Sequence, residues 1–227
     1  MPPSHDATPT GPLRAQSLGE EIANSVSHGV GFVASLVAAP FLLVAASRRG
    51  TADLVGAAVF VAAIATLYLS STLYHALPRH RAPRAKRVFR FFDHGAIFLL
   101  IAGSYTPFTL GALRGPWGWT LLGLVWGLGI AGIVSQAVGG MRFPKLTTAM
   151  YIAMGWLIVV AVRPMWLRIP LPGLLWLLAG GLAYTAGVAF YGARRVRYAH
   201  FVWHLFVLAG TACHFVAVAG YAGGRPT

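Results

Sequence analysis

His200 and His204, four residues apart in the run His200-Phe-Val-Trp-His204, are the residues of this chain best spaced to do chemistry together. On a helix that spacing puts both imidazoles on one face, one turn apart. Two nitrogens so placed suit a single metal ion. Ser71 and His75, in Ser71-Thr-Leu-Tyr-His75, share a helix face in the same way, and Asp93-His94 adds a carboxylate. A third histidine from another helix completes three nitrogen ligands, the number that catalytic zinc sites commonly keep beside one open position for water. Asp93 would then orient or deprotonate that water, or hold a ligand histidine from behind.

These residues need elements that bring them to one place, and the composition says which. The chain has 227 residues, of which 57% are hydrophobic and only 10% charged, where a soluble domain has about 25% charged. This is the composition of a membrane protein. Seven continuous apolar runs follow one another, at residues 24–46, 52–77, 94–113, 117–138, 146–162, 171–192 and 200–221. Each is near the roughly 20 residues a spanning helix needs, and none alternates as a barrel strand would. The expected fold is an all-α integral membrane protein, a seven-transmembrane helix bundle over residues 18–227. Residues 1–17, rich in Pro, Ser and Thr, are expected to be a disordered cytoplasmic tail. They lack the apolar core of a cleavable signal, so the first span is expected to serve as its own insertion signal.

Basic residues set the orientation. Twelve Lys and Arg fall with the N-terminus and the second, fourth and sixth loops, and six on the other side. That asymmetry puts the N-terminus in the cytoplasm and the C-terminus outside. The net charge of +13 sits in short loops rather than on one face, which reads as attraction to anionic lipid heads and not as a nucleic-acid site. The single Cys213 excludes an internal disulfide framework. This topology places the inner ends of the second, third and seventh spans at one depth, so Ser71, His75, Asp93, His200 and His204 share a layer near the cytoplasmic face. Ionisable groups inside a span are costly and point to function.

Other polar residues read more plainly. His5, His80 and His94 are interfacial polar tips. His214 lies ten residues past His204, about 15 Å along the helix, and bonds a neighbouring span. Gly103-Ser-Tyr-Thr-Pro107 marks a kink or close packing.

Several motifs in order resemble the hemolysin III family, the bacterial branch of the progestin and adipoQ receptor superfamily. They are Glu21-Ile-Ala-Asn24-Ser-Val-Ser27-His28-Gly29, Ser71-x-x-x-His75, Asp93, the GSYTPF run at 103–108, and His200-Phe-Val-Trp-His204 with His214 beyond. The resemblance implies a seven-helix fold and a Zn2+ ion held by His75, His200 and His204. It also implies that Asp93 contacts the zinc-bound water with Ser71 close by. Glu21, Asn24 and His28 match the family pattern without a role that chemistry assigns. Three functions follow as expectations: a ceramidase-like zinc hydrolase acting on a lipid amide or ester, a cytolytic or channel-like protein, and a receptor-like or homeostasis protein with structural zinc. A channel wants a polar stripe along a span, whereas the polar groups here collect at one end. The expected partners are membrane lipids, one of them a substrate, and the expected location is the cell membrane of a bacterium.

Overall fold

The computed structural model describes residues 14–78, 81–139, 143–193 and 195–224. Most of the expected tail lies outside them, and residues 14–17 lead into the first helix without regular structure. Eight α-helices follow among the described residues: α1 (Leu18–Ser47), α2 (Thr51–Ala76), α3 (Pro83–Leu110), α4 (Pro116–Gly139), α5 (Pro144–Trp156), α6 (Val162–Arg168), α7 (Leu171–Gly192) and α8 (Ala199–Tyr221). A 3₁₀ segment, Leu157–Ala161, joins α5 to α6, and the three pieces make one span. Helices are the natural spanning form in lipid because each satisfies its own backbone. Six stretches, with Pro144–Arg168 taken as one, are long and apolar enough to cross a membrane. The remaining span, third in chain order, is α3. Its first turns carry Arg84, Lys86, Arg87 and Arg90, and its apolar part begins after Asp93.

α1 starts six residues before the apolar run expected at Asn24, and a capping box explains it. Ser17 Oγ accepts from the Glu20 N–H at 3.3 Å, while Glu20 Oε2 accepts from the Ser17 N–H at 2.8 Å. The reciprocal pair satisfies two N–H groups that a helix start leaves open. Along α1 the buried residues are Glu20, Asn24, Ser27, His28, Gly31, Ala39, Leu42 and Ala46. Val26, Val30, Val33, Val37, Phe41 and Val44 face outwards. Small and polar inside with large apolar outside is what a hydrocarbon solvent permits, because close packing rather than expulsion from water holds such helices together.

Packing is most extensive for α2 against α3, α7 against α8, α1 against α2 and α3 against α4, and α1 also meets α8. Glycines allow the α2–α3 approach. A Cβ at Gly56 would lie 2.7 Å from Pro107 Cα, and one at Gly103 would lie 2.6 Å from the Ala63 Cβ. The GSYTPF run is thus a site of close packing.

The fifth span packs sparsely against its neighbours, and its break has a local cause. Pro164 has no N–H for the Val160 carbonyl one turn back, and its ring crowds that carbonyl. At the other end of the break Tyr105 of α3 supplies what the helix lost. Its hydroxyl lies 2.8 Å from the Met154 carbonyl and 2.9 Å from that of Gly155, and accepts from the Ile158 N–H at 2.9 Å.

Candidate metal centre

His75 sits in the last turn of α2, and His200 and His204 in the first two turns of α8. One ligand nitrogen from each lies within 4.8 Å of the others. The ring centroids are 5.1 Å apart for His75–His200, 5.1 Å for His75–His204 and 4.7 Å for His200–His204. The structure therefore gathers the three histidines singled out in the sequence from opposite ends of the chain.

The hydrogen bonds behind the rings decide which nitrogens face the cluster. His75 Nδ1 is 2.7 Å from Glu21 Oε2. The other Glu21 oxygen accepts from Lys86 Nζ at 3.0 Å, and Lys86 also donates to the Leu77 carbonyl at 2.9 Å. A carboxylate only accepts, so the Nδ1 of His75 carries the proton. Its Nε2 is then a bare lone pair, buried with no hydrogen-bond partner. His204 Nδ1 lies 3.1 Å from both Ser27 Oγ and the Asn24 carbonyl. Ser27 already donates to that carbonyl at 2.9 Å, so His204 donates from Nδ1 and offers Nε2 to the cluster. Imidazoles oriented by a carboxylate or carbonyl on the far nitrogen are the usual backing of metal-ligating histidines. An orphaned buried lone pair in a three-imidazole group fits a divalent ion, and these residues can hold one.

Asp93 does not hold a ligand ring; Glu21 has that place. Instead Asp93 Oδ2 is 3.3 Å from His94 Nδ1, and that nitrogen donates to the Arg90 carbonyl at 3.0 Å. Glu21 is thus a second acid in this layer beside Asp93, because α1 begins at Leu18 and carries Glu21 to His75. His94 is more than an interfacial tip, since it lines the central cavity beside Asp93.

The cavity has a volume of about 430 Å³, with His28, Ser71, Asp93, His200 and His204 at one end. It continues between α3, the fifth span, α7 and α8 to Trp166 and Leu171, with an almost wholly apolar wall. Ser71 Oγ is buried there without a hydrogen-bond partner. His28 is 3% exposed, stacks on His204 with centroids 3.6 Å apart and planes within 6°, and has no partner for either nitrogen.

Sequence reasoning missed Glu20. It is buried and accepts from the Tyr198 N–H at 2.8 Å and from Arg14 Nη1 at 2.7 Å. Tyr198 has φ of 59°, a left-handed conformation that costs a non-glycine residue energy. Glu20 thus pins the turn that launches α8, two residues before His200. Nothing local in the sequence couples positions so far apart.

A seven-span bundle with three clustered histidines, two of which line one end of an apolar cavity, defines a class of membrane protein rather than a soluble enzyme. The haemolysin-III-related family model matches residues 16–215, and the chain belongs to that family. It is 44% identical to "Hemolysin-3" of Bacillus cereus over 207 residues, which cover 91% of this chain and 93% of the relative. Over 206 residues it is 41% identical to "Hemolysin-3 homolog" of Bacillus subtilis, covering 90% and 95%. A more distant relative is the human "Monocyte to macrophage differentiation factor", 25% identical over 214 residues, 92% of this chain and 87% of that one.

Proposed function

We propose that this protein is a zinc-dependent hydrolase of the cell membrane that cleaves a lipid amide or ester. The observation that carries the reading is that His200 and His204 of the histidine cluster line the end of an apolar cavity, with Asp93 and Ser71 on the same wall. His75, His200 and His204 would hold the ion. When bound, zinc would polarise a carbonyl and acidify water at neutral pH. Asp93 takes a proton from the attacking water and returns it to the leaving amine or alcohol. Ser71, buried on the same wall as Asp93, donates to the carbonyl oxygen or to that water. The apolar wall holds the acyl chain and keeps bulk water out, so a substrate can remain largely in hydrocarbon.

The test is incubation of detergent-purified, zinc-loaded protein with mixed N-acyl and glycerol-ester lipids. Free fatty acid that depends on zinc and on Asp93 supports the reading. A zinc-replete protein that releases none from either lipid class overturns it.

A second reading makes the metal structural. The cluster ties α2 to α8 while both are held to α1 through Glu21, Ser27 and Asn24, so an ion there would staple three helices without any reaction. Lysis, which the relatives' names suggest, would on either reading follow from an altered membrane, not from a pore built by this fold.

A further inference from the structure

The first turns of α3 carry positive charge on two faces. Lys86 is buried and faces the metal centre. It donates to Glu21 Oε1 at 3.0 Å and to the Leu77 carbonyl at 2.9 Å, and its ammonium lies 4.8 Å from the centre of the Tyr74 ring. Through Glu21 it backs His75. Arg84, Arg87 and Arg90 follow an i, i+3 ridge away from Lys86, and with Arg81 just ahead of the helix they are exposed. The four acids among the described residues are all engaged elsewhere: Glu20 with Arg14, Glu21 with His75 and Lys86, Asp53 with Arg49, and Asp93 with His94. The ridge therefore has no counter-charge within the described fold.

Such a run opposes its own helix, because like charges three or four residues apart repel. Loosening those turns would draw Lys86 away from Glu21. An external anion on the ridge removes the repulsion and keeps the turns wound. Depth and neighbours say which anion fits. α3 turns apolar after Asp93, and Arg90 and Arg87 lie about 5 and 9 Å before it along the axis. That is close to the depth of the headgroup layer, about 5–8 Å on each side of the hydrocarbon. Val88 and Phe92, on the same turns, are exposed and apolar. They suit the acyl boundary beneath a phosphate, where a soluble anion would gain nothing from them.

We propose that Arg81, Arg84, Arg87 and Arg90 bind the phosphate of an anionic phospholipid in the leaflet on the metal side, and that this lipid holds the Lys86–Glu21 clamp closed on His75. The same two turns of helix thus read the membrane on one face and orient a metal ligand on the other. The second half rests on the histidine cluster being a metal centre.

The experiment uses the full chain in nanodiscs of phosphatidylcholine alone or mixed equally with phosphatidylglycerol. Spin-labelled analogues of the two lipids report their relative association with the protein, and chelator competition reports zinc affinity. Arg84→Gln/Arg87→Gln is compared with wild type and with Lys145→Gln/Arg197→Gln, which removes two exposed basic residues from other connections on the same side of the bundle. Wild type and the control pair should prefer phosphatidylglycerol and hold zinc about tenfold more tightly in its presence. The α3 pair should lose about fivefold of the lipid preference for each arginine removed, and should bind zinc equally in both lipids. Equal losses in the two pairs mean diffuse attraction and overturn the site. Wild-type zinc affinity that ignores phosphatidylglycerol also overturns the proposal, since the clamp then closes without the lipid. Glycerol 3-phosphate that tightens zinc in pure phosphatidylcholine as far as phosphatidylglycerol does makes the ligand a soluble phosphate and overturns the lipid. Wild type that holds zinc but shows no lipid preference overturns the proposal alone, whereas wild type that holds no zinc in either lipid overturns the metal centre and the clamp together.

Discussion

The imidazole of His75 and the carboxylate of Glu21 meet 2.7 Å apart across 54 residues of sequence, with Lys86 closing the other side of the carboxylate at 3.0 Å. This contact sets which nitrogen of His75 faces the cluster. Glu21→Gln keeps the size but removes the obligatory acceptor, so the ring can turn or change tautomer. Metal affinity should fall about 10- to 100-fold, the usual cost of losing such a backing group. Chelator competition measures it. Affinity equal to wild type would show that Glu21 does not orient the ring.

The ligand set itself predicts a sharper pattern. His75→Ala, His200→Ala and His204→Ala should each remove most bound metal, measured by elemental analysis of purified protein. His214→Ala should retain it, because His214 lies about 15 Å along α8 from His204 and bonds the Leu177 carbonyl. Equal loss in all four variants would indicate general unfolding instead of ligation.

Much of this architecture was legible because a membrane leaves few choices. Uninterrupted apolar runs can only be helices, and polar residues at the ends of such runs are conspicuous, which is how His75, Asp93, His200 and His204 stood out. Glu21 did not, since it precedes the apolar run; the Ser17-x-x-Glu20 capping signature would have extended α1 to include it. Pro164 likewise announces the break in the fifth span one turn earlier. The Glu20–Tyr198 bond and the stacking of His28 on His204 are tertiary facts. No spacing rule reaches across some 180 residues.

Tyr105 tests the account of the broken span. Its hydroxyl serves two carbonyls and one N–H around the 3₁₀ segment. Tyr105→Phe takes this partner from the Gly155 carbonyl and the Ile158 N–H, while the Met154 carbonyl keeps the Leu157 N–H, and should destabilise the protein by about 1–3 kcal/mol, read as a lower midpoint in thermal unfolding in detergent. An unchanged midpoint would mean that the segment satisfies itself.

Orientation is checked by reporter fusions after Arg90 and after Tyr221. The excess of basic residues on the side of the loop between α2 and α3 predicts a cytoplasmic signal for the first and an external one for the second. The reverse result would move the histidine cluster to the outer face.

Asp93→Asn separates chemistry from scaffolding. If the metal is a staple with four protein ligands, the fourth must come from nearby, and Asp93 is on the same cavity wall as His200 and His204. Removing its charge would then release metal as His204→Ala does. The observed contacts favour the other outcome. Asp93 points one oxygen to His94 at 3.3 Å and takes no part in orienting His75, while three imidazoles already supply neutral ligands that leave the ion's full charge available. The variant keeps its shape and loses only a base, so it should retain metal and thermal stability while hydrolysis of the N-acyl or ester probe drops by roughly 10²–10⁴, the range for a general base. Metal loss matching His204→Ala would make Asp93 a ligand and end the hydrolytic mechanism proposed for it.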